Sequence, residues 1–384
     1  MIYMDYAAST PIDPRVAACM TACLVNPELQ GNPASLTHAF GRKPRALIEQ
    51  ARQQVAESIG GVPAGVVFTS GATESDNLAL FGVAKFHEGV PRHIISSRTE
   101  HKAVLEPLKR LEKQGVKVTY LKPDAEGIVQ PWQVREAMTP ETMLVSLMHV
   151  NNETGVIQDI AAVGELCRER GILFHVDAAQ SACRLHIHVD RMNIDLLSLS
   201  AHKLYGPKGV GALYVRRQPV LALEAQILGG GHEFGWRSGT LATPQIVAFG
   251  LAMQLAVAER DADNVRIMAL RERLWSGLQQ LGGVELNGHL TQRVAGILNV
   301  AFHGVEGESL MFALSELAVS AGSACATGSD EASYVLRALG RSDQLAQSSL
   351  RFSLGRFSTD EDVDAALKLV GRELMRLRTV ALMS

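Results

Sequence analysis

The chain lacks a disulfide pattern, a long apolar run and an excess of charge of either sign. Among its 384 residues are five cysteines, Cys19, Cys23, Cys167, Cys183 and Cys325. The number is odd and no two are spaced C-x-x-C, so a disulfide framework or a zinc knuckle is not expected and free thiols are. No apolar run reaches the roughly 20 residues that a membrane span needs, and Met1-Ile2-Tyr3-Met4-Asp5 lacks the basic-then-apolar order of a signal peptide. With 37 Lys and Arg against 40 Asp and Glu, the net charge of -3 gives no general attraction for nucleic acid or anionic lipid. A cytoplasmic location follows as the expectation, without direct binding of membrane or nucleic acid.

What is present is a large apolar fraction, 47% hydrophobic against 20% charged residues. That is the balance of a folded chain with a sizeable core, and the length exceeds what one ordinary core holds. From about residue 15 to 260, short apolar or β-branched runs alternate with helical stretches. The expected strands are Gly65 to Thr69, His93 to Ser97, Lys117 to Leu121, Met143 to His149, Ile172 to Val176, Asp195 to Ser200 and Gly211 to Val215. Amphipathic segments such as Arg42 to Ser58 and Ile160 to Arg170 separate them, which is the signature of βαβ units and a mostly parallel, doubly wound sheet. After a long helical stretch, Pro244 to Leu281, shorter strands (Gly296 to Phe302, Ser349 to Ser353) alternate with helices (Glu308 to Leu317, Glu361 to Leu377). The expected fold class is therefore α/β, with a large domain over 15–260 and a smaller α+β domain formed by 1–14 with 261–384.

In such sheets ligands sit beyond the carboxyl ends of the strands, so the strand-end residues are where chemistry is expected. After the first strand, Ser70-Gly71-Ala72-Thr73 enters a helix whose N–H groups and Thr73 hydroxyl suit a phosphate. It is not a P-loop, and taken alone Thr73 reads as a helix cap. Asp177 ends an apolar strand, where a carboxylate seeks a cationic N–H such as a pyridinium; a cap on the following turn is the other reading. Gln180, three residues on, is placed to donate to the ring's phenolic oxygen. Lys203, among small residues beside His202, suits a Schiff-base amine, although most lysines are surface charges. His101 suits stacking and proton transfer, against the usual structural histidine. Arg351 interrupts an apolar strand and suits bidentate capture of a carboxylate, with Asn152 as a candidate helper and a structural ion pair as the competitor. His186 and His188 alternate along an extended segment and read as one face of a surface strand, not as metal ligands. Cys19 and Cys23 read as small buried residues of a helix, whereas Cys325 lies in a small, polar, loop-like run, Ser320 to Ser329.

Together these strings carry a resemblance over nearly the whole chain. The chain resembles the fold-type I pyridoxal-phosphate enzymes of the class V aminotransferase-like group, and within them the cysteine desulfurases of the IscS/NifS type. The matching strings are Met4 to Pro11, Phe68 to Asn77, Thr99 to Val104, His149 to Gly155, His175 to Gln180, Ser200 to Lys203, Arg237 to Thr240, Gly322 to Cys325 and Arg351 to Arg356. The resemblance implies pyridoxal 5'-phosphate bonded to Lys203, with Asp177 at the pyridinium, Gln180 at the phenolic oxygen and His101 stacked on the ring as acid and base. It implies Ala72, Thr73, Ser200, Ala201 and His202 around the phosphate, and Thr240 reaching the phosphate of a second subunit in a homodimer. Asn152, also near the cofactor, and Arg351 would hold the carboxylate of L-cysteine. Cys325 would take the sulfur as a persulfide and pass it to an acceptor protein.

Two features depart from the family pattern. Phe234 and Trp236 stand where relatives are more basic or aliphatic, and the chain stops soon after Leu377-Arg378 where the iron–sulfur assembly enzymes carry a longer tail. The acceptor is therefore left open between iron–sulfur assembly and tRNA or DNA thio-modification. A selenocysteine lyase or another class V enzyme is the alternative on the same scaffold, and a non-enzymatic sulfur-relay protein the alternative from another class. Neither a metal nor a nucleotide is implied.

Overall fold

Apolar residues alternate in direction along the central strands, and that alternation builds two faces. A computed structural model describes residues 1–321 and 332–383; Cys325 and its neighbours Gly322, Ser323 and Ala324 lie outside the described residues. The strands are β1 (Ile2–Tyr3), β2 (Val66–Thr69), β3 (His93–Ser97), β4 (Lys117–Leu121), β5 (Thr142–Met148), β6 (Leu173–Asp177), β7 (Leu196–Ser200), β8 (Gly211–Val215), β9 (Val284–Leu286), β10 (Ile297–Phe302), β11 (Leu317–Ala318), β12 (Ser320–Ala321) and β13 (Ser349–Ser353). The helices are α1 (Pro14–Val25), α2 (Ala39–Ser58), α3 (Ala72–Phe86), α4 (Lys102–Glu112), α5 (Pro131–Ala137), α6 (Ile160–Arg170), α7 (Thr243–Gln280), α8 (Gly307–Ala313), α9 (Tyr334–Ala338), α10 (Asp343–Gln347) and α11 (Asp360–Met383).

Seven strands form one sheet in the order β2-β8-β7-β6-β5-β3-β4. Every pairing from β7 to β4 is parallel, and β8 runs antiparallel to both neighbours. Val67 of β2 points to the face covered by α3 and α4, where it meets Leu80, Val83, Val104 and Leu108. Its neighbour Phe68 points the other way, into a core with Val55, Val163, Phe249 and Met253 from α2, α6 and α7. A sheet buried on both faces favours strands rich in apolar residues, and β2, β3, β7 and β8 are buried at every position. Fully burying one phenylalanine such as Phe68 contributes about 1.5–3 kcal/mol.

The helix ends follow local chemistry. Asp13 caps α1 through the Arg15 N–H with Pro14 in the first turn, Asp159 caps α6, and Gly171 closes α6 in the left-handed conformation at φ 65°. A second sheet, β12-β13-β10-β9, is antiparallel. Its core draws on the far half of α7 (Leu270, Leu274, Leu278), on α11 (Val363, Val370, Leu374) and on Met4. Helix α7, 38 residues long, thus contributes to both cores. Leu274 is fully buried, and truncating it to alanine is expected to cost about 2–5 kcal/mol. The N-terminal residues join this second core, because β1 pairs with β11 and Met4 O accepts the Ser353 N–H at 2.7 Å.

Three expectations need correction. His186 and His188 belong to no strand: the segment pairs with no strand among the described residues, His186 is exposed 3.4 Å from Asp261, and the His188 ring packs against Gly60. Cys19 and Cys23 are half-exposed on α1 rather than buried, since α1 turns only Val16 fully inward. Residue His149 lies past the end of β5, in the turn that follows. Among the described residues no helix is long and apolar enough to cross a membrane.

Candidate active site

The turns that follow β2, β3, β5, β6 and β7 open onto one cavity of about 890 Å³, as the carboxyl-edge rule requires. Residues of the second sheet's side, Arg351 and Ala332 to Tyr334, close it from above.

One wall is the start of α3. Gly71 is its N-cap and gives no side-chain cap, so the amides of the first turn keep their donor character toward the cavity. Thr73 is therefore not the cap; it sits in the first turn and is exposed. Glu74 Oε2 accepts the Ser70 N–H at 2.7 Å and Glu74 Oε1 pairs with Arg237 Nε at 2.8 Å, which fixes the turn from outside. Only glycine fits at Gly211 of β8, because a Cβ there would lie 2.3 Å from Leu199 O and 2.7 Å from Gly71 Cα.

The opposite wall is the turn Ala201–Lys203 after β7. Lys203 Nζ donates to Ala7 O at 2.6 Å and Ala8 O at 2.8 Å, so the amine is held by main-chain carbonyls of the N-terminal segment. Ser200 and His202 also line the cavity, and Ala201 lies beneath it, fully buried, with its N–H bonded to Val210 O. Burial, reinforced by Lys203 and Lys208, pushes His202 down to about 4, so its ring is neutral.

Asp177 ends β6 with Oδ1 accepting the Ala179 N–H at 2.8 Å. Burial raises its carboxyl, while that N–H and the nearby His101 and Lys203 pull it back down. Asp76 and Glu100 are buried with it, and burial together with mutual repulsion raises both well above the usual carboxylate range. Three acids so placed cannot all ionise. Asp177, the one facing cations, is the one suited to carry charge.

His101 is the N-cap of α4, and its Nδ1 accepts the Ala103 N–H at 3.1 Å. A neutral ring in that setting carries its proton on Nε2. Arg351 Nη1 donates to Asn152 O at 2.8 Å and Nη2 to Asp5 Oδ1 at 2.7 Å and Ser320 Oγ at 3.0 Å. The ion pair foreseen as its competitor is thus real. Even so, Arg351 Nε and Asn152 Oδ1 are buried without a hydrogen-bond partner among the described residues.

The structure therefore brings Ala72, Thr73, His101, Asn152, Asp177, Gln180, Ser200, His202, Lys203 and Arg351 around one space. Thr240 is exposed and outside it, and Cys325 falls outside the described residues. Sequence reasoning missed five contributors. The Ala7 and Ala8 carbonyls carry no side-chain signal, although their string was part of the resemblance. Tyr334 donates to Glu100 O at 2.7 Å, and Ser333 to Glu153 Oε2 at 2.5 Å, from a helix distant in sequence. Arg184 donates to Gln180 Oε1 at 2.8 Å, and Gln180 Nε2 in turn donates to Ala7 O at 2.7 Å.

These groups fit pyridoxal 5'-phosphate. An amine, a buried carboxylate and an uncapped helix N-terminus answer its aldehyde, ring nitrogen and phosphate, and the orphaned Arg351 Nε and Asn152 Oδ1 leave donor and acceptor capacity for an amino acid.

The Aminotransferase class-V family model matches residues 2–366. The cysteine desulfurase IscS of Aeromonas hydrophila is 56% identical over 380 residues, covering 99% of this chain and 94% of the relative. Among solved structures, a NifS-like protein superposes with a TM-score of 0.91 at 36% identity, covering 98% of this chain and 100% of that one. A structure described as SspA in complex with cysteine superposes with a TM-score of 0.82 at 39% identity, covering 94% of this chain and 100% of that one. The chain belongs to the class-V aminotransferase family and, within it, to the cysteine desulfurases, enzymes that depend on pyridoxal 5'-phosphate.

Proposed function

We propose that the cavity binds L-cysteine, that the substrate's sulfur passes to Cys325, and that Cys325 hands it to an acceptor protein. The observation that carries this reading is one cavity in which the Lys203 amine and the Asp177 carboxylate share space with unpaired polar atoms of Arg351 and Asn152. Pyridoxal 5'-phosphate, bound there, supplies an aldehyde that bonds amines and a ring that withdraws electrons.

The chain's own residues do the rest. Lys203 is the amine that would hold the cofactor through its aldehyde carbon. Asp177 would keep the ring nitrogen protonated, and the first-turn amides of α3 with Thr73, Ser200 and His202 would hold the phosphate. His101, a donor at Nε2, gives and takes a proton at the substrate. Arg351 and Asn152 orient the substrate carboxylate, which fixes the carbon–sulfur bond in the cavity. The Cys325 thiolate attacks the substrate sulfur; the S–S bond forms as the C–S bond breaks, the electron pair of that bond stays with the substrate's carbon, which takes up a proton, and the products are alanine and a Cys325 persulfide.

The same reading makes the enzyme a cytoplasmic homodimer in which Thr240, exposed in the single chain, faces the partner's phosphate. The acceptor serves iron–sulfur assembly or nucleic-acid thio-modification. Alanine released from cysteine is the test. Wild type is expected to form it, whereas Lys203→Ala and Cys325→Ala are expected to fail. Full activity in either variant removes that residue from the mechanism, and a sedimentation mass of one chain removes the dimer.

A further inference from the structure

Arg184 stands behind the cofactor cavity without an acidic partner among the described residues. It follows Asp177 and Gln180 on the turn after β6. Its guanidinium faces inward: Nη1 donates to Gln180 Oε1 at 2.8 Å and Nη2 to Lys203 O at 3.2 Å. Its own carbonyl accepts from Asn264 Nδ2 of α7 at 2.7 Å, which ties the turn to the long helix.

The charged and titratable groups around it come from three elements. Lys203 and Tyr205 follow β7, Arg260 and Asp263 lie on α7, and Arg351 and Arg356 lie on or just after β13. Asp263, the one acid of that set, is held by Arg356 Nε at 2.9 Å. Burial accordingly pulls the Arg184 guanidinium below its ordinary value. Arg184 is half-buried, so its guanidinium is only partly stripped of water, and its two hydrogen bonds to Gln180 and Lys203 hold it inward.

Those two bonds join the two residues assigned to neighbouring groups of the cofactor. With Arg184 on Oε1, the Gln180 amide has a single orientation. Its Nε2 presents one hydrogen to Ala7 O at 2.7 Å and keeps the other for the cavity. We propose that Arg184 is a positioning residue that clamps the Gln180 side chain to the Lys203 main chain and sets a permanent positive charge behind the cofactor's aldehyde and ring oxygen. The inference rests on the pyridoxal-phosphate reading of the cavity.

A cation at that place disfavours protonation of the nitrogen and oxygen in front of it. The pH dependence of the visible absorbance of the holoenzyme reads this directly, and a residue that merely fills space would not move it. Arg184→Met and Arg184→Gln are expected to move the midpoint upward by about one pH unit. Arg184→Lys, which keeps the charge, is expected to retain the wild-type midpoint. If Arg184→Met does not fold, the comparison of Arg184→Lys with Arg184→Gln decides alone. A midpoint that stays at the wild-type pH in the neutral variants overturns the inference. Wild-type protein without any visible band after incubation with pyridoxal 5'-phosphate would instead overturn the reading of the cavity itself.

Discussion

Arg52 and Arg351 are both buried, one under the segment that leads to Thr240 and the other over the cavity, and their hydrogen bonds are completed to different degrees. Arg52 donates to Val66 O, to both carboxylate oxygens of Glu233 and to Glu49, with the rings of Phe68 and Phe234 within 4.8 Å and 5.3 Å of its guanidinium carbon. Glu233 also accepts the Phe68 N–H at 2.7 Å, so the network closes on itself. Arg351 has main-chain, serine and aspartate partners yet leaves Nε unmatched, and Asp5 is shared with Ser320. A closed network fixes shape; an open one retains capacity for a ligand. In this pair the closed network belongs to the scaffold and the open one to the cavity at the carboxyl edge of the large sheet.

Four perturbations test that division, in falling order of effect. Lys203→Ala removes the amine of the open region, and alanine formation is expected to fall about 10³-fold or more with the thermal midpoint nearly unchanged. A comparable loss of stability would make Lys203 scaffold instead. Arg52→Met is the converse. It strands Glu233 without its cation, and denaturant titration is expected to show a loss of about 3–5 kcal/mol while the KM for cysteine stays within about twofold.

The third perturbation is acid. Burial pushes His149 down to about 4 and His175 to about 3, from 6.5. Between those values and 6.5 the unfolded chain binds protons that the native state refuses, so stability is held above that window and lost as pH falls through it. Each ring then contributes a slope of up to about 1.4 kcal/mol per pH unit, and for these two rings the unfolding free energies from denaturant titration at pH 7.0 and about 5.5 are expected to differ by about 2–3 kcal/mol. A flat profile would mean that these rings are not held neutral. The smallest effect belongs to Arg351→Lys. It removes the fork that matches a carboxylate, and KM is expected to rise about tenfold with stability changed by less than about 1 kcal/mol.

The saturated part of the molecule was readable from sequence where a period enforced it. Strands β3, β4, β8 and β13 fall where the alternation of short apolar or β-branched runs with helical stretches puts them, and α7 is displaced by a single residue. Strand-end residues such as Asp177 and Lys203 were readable for the converse reason, being polar where an apolar run stops. Arg184 was not, since an arginine in a turn looks like surface charge until Gln180 and Lys203 are seen in front of it. Nor were the Ala7 and Ala8 carbonyls, because main-chain acceptors carry no residue signature. The alternation of His186 and His188 misled because period two means a strand only where another strand lies alongside to pair with it.

The central claim is that the Lys203 amine is the group joined to the cofactor. Borohydride reduction of the protein incubated with pyridoxal 5'-phosphate, followed by peptide mapping, addresses it most directly. The expected result is a pyridoxyl group on the peptide containing Lys203; a pyridoxyl group on another lysine, or on none, would contradict it.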